Sequence, residues 1–365
     1  MTHRHRHDRA GGASVSTRSW NRVLQGFVVA GAVLGIALAR PVAAQPPLQV
    51  FTTLSDLADL AKAVGGDEVA VTAMLKGPED AHFVEAKPSY IKQLSEADVF
   101  ISNGMELEVG YVPLLLNNAR NGRVLPGNPG YLDASAGINP REVPVGPVDR
   151  SMGDVHPLGN PHYLLDPVNG VLVAAAIRDK LISLRPVKKA YFEANFEDFR
   201  RKIDVALVGE PLAKKYDAEK LAVLYEHGKL ESFLKQQGDE QLLGGWLGLL
   251  APFYGTRIVD DHNLWPYLAA RFGLRIAGHM EPKPGIPPTT SHLSELVEQM
   301  RAQGVKIVVS APYYDPRHAR FISEATGATV VYLAQQVGAR EGADDYVAMV
   351  NYNVQALVKG LRAGS

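Results

Sequence analysis

Three histidines lie in separate stretches of the chain: Glu79-Asp80-Ala81-His82-Phe83, Gly159-Asn160-Pro161-His162-Tyr163 and Asp260-Asp261-His262-Asn263-Leu264-Trp265. Each falls just past an apolar run or just ahead of a helix-starting pattern. Three neutral imidazoles drawn from distant segments can meet only in a folded protein, and such a donor set suits Zn²⁺ better than any other common ion. His82, His162 and His262 are therefore the candidate metal ligands. The remaining histidines are read differently. His227, His292 and His318 fall in helical or helix-edge contexts and are expected at the surface. His279 stands at a strand end near Glu281, and His156, in a loop six residues before His162, is expected to be solvated.

The elements that must carry these loops alternate. Leu48-Gln49-Val50-Phe51 reads as a strand, Leu54 to Val64 as an amphipathic helix, Glu68 to Leu75 as the next strand, Pro88 to Leu94 as a helix and Asp98 to Gly104 as a strand with its turn. Tyr111 to Ala119 is helical, whereas Asn121 to Asn160 is rich in Gly and Pro and most of it reads as a long loop. Asp166-Pro167 opens a helix to Leu184 with Asp as cap and Pro in the first turn. A second helix between Pro186 and Gly209 carries Tyr191, Phe192, Phe196, Phe199, Ile203 and Leu207 at helical spacing. Its roughly 33 Å would reach from one domain to another. Strands at Thr256–Val259, Leu274–Ala277, Lys306–Ser310 and Thr329–Leu333 then alternate with helices at Leu264–Phe272, His292–Gln303, Arg317–Thr326 and Tyr346–Leu361. This is an α/β pattern: two α/β lobes, each a mostly parallel sheet flanked by helices, joined by one long interdomain helix. Ligands in such folds sit beyond the carboxyl ends of the strands, where His82 and His262 fall.

Composition narrows the class. Arg18 and Arg22 precede an apolar run from Val23 to Ala39, and Pro41-Val42-Ala43-Ala44 ends in small residues, the layout of a cleaved secretory signal. The expected division is a signal peptide over 1–44, a first metal-binding lobe over 45–185, a linker helix over 186–208 and a second metal-binding lobe over 209–365. Of 38 basic and 39 acidic residues, six Arg and one Asp lie in the first 44, which leaves the mature chain a net charge of −6. That acidity speaks against nucleic acid as a partner. The chain has no Cys, so neither a disulfide scaffold nor lipid attachment at a new N-terminal Cys is expected. His3, His5 and His7 would leave with the signal. The expectation is a soluble periplasmic monomer.

Four motifs, in order, resemble the periplasmic zinc/manganese-type solute-binding proteins of ABC importers. Asp80-Ala81-His82-Phe83 with Pro88 looks like the family's first His motif, and Asn160-Pro161-His162 with Asp166-Pro167 like its second. Tyr191-Phe192-Glu193-Ala194-Asn195 matches its helix signature. His262-Asn263-Leu264-Trp265-Pro266-Tyr267 with Arg271-Phe272-Gly273-Leu274 matches its third His motif. The resemblance implies a metal held between two lobes that open only modestly, because a helix is a stiff connector. A third His in place of a carboxylate implies Zn²⁺ ahead of Mn²⁺. The departure is the fourth ligand. Where the family supplies an Asp, this chain carries Gln335, so the position is open to water, to Asp315, Glu341, Asp344 or Asp345, or to His156.

The resemblance thus implies a non-enzymatic zinc-transport component: capture of Zn²⁺ in the periplasm and delivery to an inner-membrane ABC permease, with a periplasmic zinc chaperone as a further partner. Metal affinity is expected to fall as pH drops towards about 6, where protons compete for imidazole. Two other classes use the same residues. A zinc hydrolase needs three His and an open fourth position, but no His-Glu-x-x-His motif supplies a general base. A metal-linked adhesin or storage protein is disfavoured by the missing lipid-attachment Cys.

Overall fold

Runs of three to five mostly apolar residues form every strand. The computed structural model describes residues 45–146, 148 and 152–364; the expected signal peptide lies outside them. In the first lobe β1 (Leu48–Thr52), β2 (Val69–Ala73), β3 (Val99–Ser102) and β4 (Tyr131–Asp133) make a parallel sheet in the order β2-β1-β3-β4. In the second, β5 (Arg257–Asp260), β6 (Arg275–His279), β7 (Ile307–Ser310) and β8 (Thr329–Tyr332) repeat the order as β6-β5-β7-β8, again all parallel. Parallel neighbours require crossovers, and helices supply them. α1 (Ser55–Gly65) joins β1 to β2, α2 (Pro88–Glu96) β2 to β3, and α3 (Val112–Ala119) lies between β3 and β4. β3 and β7 are buried along their whole length, as strands covered on both faces should be.

α4 (Pro167–Leu184) starts at the Asp166 cap, whose side chain accepts the Val168 N–H, with Pro167 in the first turn. The long helix α5 (Lys189–Val208) follows a short 3₁₀ turn at Pro186–Lys188. Its 20 residues span about 30 Å. It packs on α1 and α4 and on α6 (Glu210–Lys215), α7 (Ala218–Glu226) and α9 (Gly245–Leu250). α8 (Leu230–Gln237), α10 (Pro266–Arg271), α11 (Thr290–Gln303), α12 (Pro316–Thr326) and α13 (Tyr346–Gly364) complete the second lobe.

Two stretches hold more than was expected. Asn121 to Asn160 is mostly loop, as expected, but β4 lies within it and pairs with β3 through Phe100↔Tyr131 to Ser102↔Asp133. Between Gly209 and the second sheet, where the sequence bounds no helix although His227 stands in a helical context, the chain forms α6 to α9.

From Pro47 onward the chain packs as one compact unit. One apolar core runs through both lobes, joining Leu57 of α1, Tyr163, Phe196 of α5, Trp265 and Tyr346. Smaller clusters cover the outer sheet faces, around Phe100 and Leu115 in the first lobe and around Val308 and Ile322 in the second. A core shared in this way leaves little room for wide opening.

Candidate metal centre

The carboxyl ends of the two sheets carry the loops that bring the three histidines together. His82, His162 and His262 each offer a ring nitrogen, and these nitrogens all lie within 4.8 Å of one another. Among the described residues this is the only group of three or more His, Cys, Asp or Glu close enough to hold an ion.

His82 follows β2 on a turn that its neighbour builds. Asp80 Oδ1 accepts both the His82 backbone N–H (3.0 Å) and a bond from its Nδ1 (2.8 Å). A short acid side chain turned onto the backbone two residues on is a common local device. Burial would raise the Asp80 carboxyl, but the hydrogen bond and charge of His82 outweigh it and hold it below its usual range. Tyr111 Oη donates to Ala81 O (3.1 Å) and pins the turn to the first lobe.

His162 sits on a rigid corner. Asn160 Oδ1 accepts its N–H (3.0 Å), and Asn103 Nδ2 donates to Pro161 O (3.0 Å). Tyr267 Oη, from the second lobe, donates to Asn160 O (3.0 Å). Burial, and then the neighbouring His82, His262 and His156, push the His162 imidazole well below its ordinary range. That shift favours the neutral form a metal ligand must have.

His262 follows β5. Asp261 Oδ1 accepts its N–H (2.9 Å) and the Trp265 indole N–H (3.3 Å), while Asp261 Oδ2 accepts the Ala311 N–H (2.6 Å). Burial, reinforced by Asp260, pushes the Asp261 carboxyl up to about 7. Glu281 Oε2 lies 2.6 Å from His262 Nδ1 and also accepts the Gly285 N–H (2.8 Å). Carboxylates thus face Nδ1 of both His82 and His262. They fix the proton there and leave Nε2 with its lone pair, the second layer of support usual behind metal-bound imidazoles.

A metal fits these residues. His82 Nε2 is buried with no hydrogen-bond partner, an expensive condition unless something else takes its lone pair. The cavity lined by His82, His162 and Gln335 measures about 30 Å³, room for an ion or a water but not for an organic substrate.

Other expectations sort plainly. Trp265 and Tyr267 are core residues. Asp166 caps α4 and holds Arg271 with two bonds (2.8 and 2.9 Å); no bond joins it to His162. Asp260 pairs with His279 (2.6 Å), outside the triad. His227 is exposed, but His292 and His318 are half-buried, and His292 Nε2 contacts His279 O (3.0 Å). His156 is not a solvated loop residue: it is half-buried, with its ring beside His82. Gln335 lines the cavity, its Nε2 donating to Gly77 O (2.7 Å) and its Oε1 buried without a partner. Of the acids considered for the fourth position, Asp315 is held by Arg317, and Glu341, Asp344 and Asp345 are exposed. Sequence reasoning missed Glu281 as the partner of His262.

Two parallel-sheet lobes, a stiff helix between them and a buried imidazole cluster where their strand ends meet describe a metal-binding substrate-binding protein of an ABC importer. The chain belongs to the family described as zinc-uptake complex component A, periplasmic, which matches residues 50–241 and 249–360. It is 25% identical over 320 residues to the manganese ABC transporter substrate-binding lipoprotein PsaA of Streptococcus anginosus, covering 86% of this chain and 89% of that protein. To the metal ABC transporter substrate-binding lipoprotein ScbA of Streptococcus cristatus it is 23% identical over 320 residues, with the same coverage. A crystal structure of ZnuA superposes with a TM-score of 0.62 at 19% identity, covering 86% of this chain and 99% of that one. The Mn-bound periplasmic metal-binding protein of Candidatus Liberibacter asiaticus gives 0.60 at 18% identity, covering 86% and 98%. At such identities the structural likeness shows the fold. The family is one of extracytoplasmic metal-binding carriers rather than enzymes, and such proteins work with the membrane permease and ATPase of an importer.

Proposed function

We propose that the protein captures Zn²⁺ in the periplasm, holds it through Nε2 of His82, His162 and His262, and hands it to the permease of its importer. In this reading residues 1–44 are removed on export, and residues 45–185 and 209–365 are the two metal-binding lobes on either side of the 186–208 linker.

The observation that carries the choice of ion is the donor set. Three imidazole nitrogens lie within 4.8 Å of one another, and no carboxylate joins them among the described residues. Mn²⁺ is served best by oxygen ligands, whereas imidazole suits Zn²⁺. The carboxylates nearby, Asp80 and Glu281, are bonded to the imidazoles. Their negative charge still favours a dication in the cleft. The manganese in the names of several relatives is the reason to test the ion directly.

Equilibrium dialysis with metal analysis is that test, on protein recovered from the periplasm with an intact mass that begins at Gln45. We expect one zinc per chain, little manganese, and loss of zinc when His82, His162 and His262 are all replaced by Ala. Preferential retention of manganese would overturn the choice of ion. Unchanged zinc binding in the triple variant would overturn the site.

A further inference from the structure

Where relatives of this chain are expected to place a carboxylate, Gln335 offers an amide oxygen, a poor zinc ligand. The other side of the cluster holds a stronger donor. The His156 ring centroid is 5.4 Å from that of His82, close to the 5.1 Å that separates His82 from His162. A cavity of about 50 Å³ is walled by His156, His162 and His262 together. His156 therefore borders all three candidate ligands, although it stands just outside the group whose nitrogens already lie within 4.8 Å.

We propose that His156 is the fourth metal ligand, binding through Nε2 so that four imidazoles surround the ion. The proposal rests on the reading of the triad as a zinc site and deepens it.

The orientation of the ring supports the assignment. His156 Nε2 is buried and has no hydrogen-bond partner. The ring is nevertheless hydrogen-bonded to the backbone of Glu106, so that bond uses Nδ1 and leaves the Nε2 lone pair free. A carbonyl behind one imidazole nitrogen and an open lone pair on the other is the arrangement found at metal-bound histidines. The Glu106 backbone is set by an unusual turn: Met105 and Glu106 both adopt left-handed conformations, with φ of 50° and 61°. Non-glycine residues do this only where the surroundings hold them.

Gln335 is the rival. Its Oε1 is also buried and unpartnered, and it lines the cavity beside His82 and His162, but its amide is fixed on Gly77 O. His156 would come into bonding range by a movement of its loop. That loop is tied by Asp154 N–H to Pro284 O (2.8 Å) and by Asn160 N–H to Arg141 O (2.8 Å). A site of four neutral imidazoles would discriminate against Mn²⁺ more strongly than one with a carboxylate.

Zinc K-edge X-ray absorption on the zinc-loaded mature protein counts imidazoles directly, and chelator competition on wild type, His156→Ala and Gln335→Ala gives affinities. Expected are four imidazoles in wild type and three plus an oxygen in His156→Ala. That variant should lose more affinity than the roughly 10- to 100-fold typical of removing a group behind a ligand, while Gln335→Ala keeps four imidazoles. Three imidazoles and an oxygen in wild type would overturn the proposal and leave the three-histidine zinc site intact. So would undiminished affinity in His156→Ala. A wild-type protein that takes up no zinc would overturn both.

Discussion

In the proposed site, Glu281 sets how well His262 can bind. An imidazole whose Nδ1–H is held by a carboxylate at 2.6 Å is more basic at Nε2 and is fixed in one orientation. Glu281→Gln keeps the size of the side chain and an oxygen for the Gly285 N–H, but removes the charge. Zinc affinity should fall by roughly 10- to 100-fold, and Asp80→Asn should act in the same direction through His82. His279→Gln is the control, because His279 pairs with Asp260 away from the cluster. Chelator competition on the three variants checks this, and equal affinities for Glu281→Gln and His279→Gln would refute it. The three histidines were legible because each lies inside a compact motif. Glu281 was not, since it is 19 residues from His262 in sequence. Only the continuation of strand pairing past β5 and β6, with Glu281 N–H donating to Asp261 O (3.0 Å), brings it alongside.

At the level of elements, the start of α4 and the end of α10 are joined by a buried ion pair. Asp166 and Arg271 meet through two bonds with side chains only 4% and 6% exposed, so neither charge has water to fall back on. Breaking such a pair on one side leaves an uncompensated charge and typically costs about 3–5 kcal/mol. Arg271→Met should destabilise the protein by about that amount. Asp166→Asn added to it should recover part of the loss, because Asn still caps the helix. Urea denaturation of the single and double variants measures both; a single-variant loss under about 1 kcal/mol would place this pair with the weak surface kind. The same two residues stand in the motifs that were legible in the sequence, as did α5 between Pro186 and Gly209. β4 escaped because it has three residues in a stretch of Gly and Pro, too few for alternation to register. α6 to α9 are six to nine residues long. Helical periodicity needs windows of about 11–18 residues to stand out.

At the level of the whole molecule the lobes are clasped as well as linked. Ser55 Oγ donates to Val337 O (2.8 Å), Asp56 Oδ1 accepts the Val337 N–H (2.5 Å), and Asp59 Oδ2 accepts the Tyr346 N–H (2.9 Å). Gln336 Nε2 reaches back to the carbonyls of Gly77 and Glu79 (both 2.9 Å), on the loop that carries His82. The backbones approach so closely there that a Cβ on Gly77 would lie 2.0 Å from the Gly338 carbonyl carbon. This clasp ties the second lobe to the metal loop of the first, and it contains buried acids. Burial raises the Asp56 carboxyl from 3.8 to about 7 against the lowering effect of the Val337 N–H, and burial raises Asp59 as well. A carboxyl whose folded pKa lies above its unfolded value binds its proton more tightly in the folded state. Its contribution to stability is therefore complete below about pH 4 and is lost as pH rises towards 7. Asp56→Asn keeps the acceptor for Val337 but has no charge to bury. The metal-free variant should match wild type below about pH 4 and exceed it at pH 8, by an amount on the order of a few kcal/mol. Urea denaturation across that range, with chelator present so that bound zinc does not add its own stabilisation, reads the difference between the two proteins. A constant difference would show that Asp56 does not change protonation on folding. A variant weaker than wild type at pH 8 would show that the carboxylate, not the neutral acid, holds the lobes together.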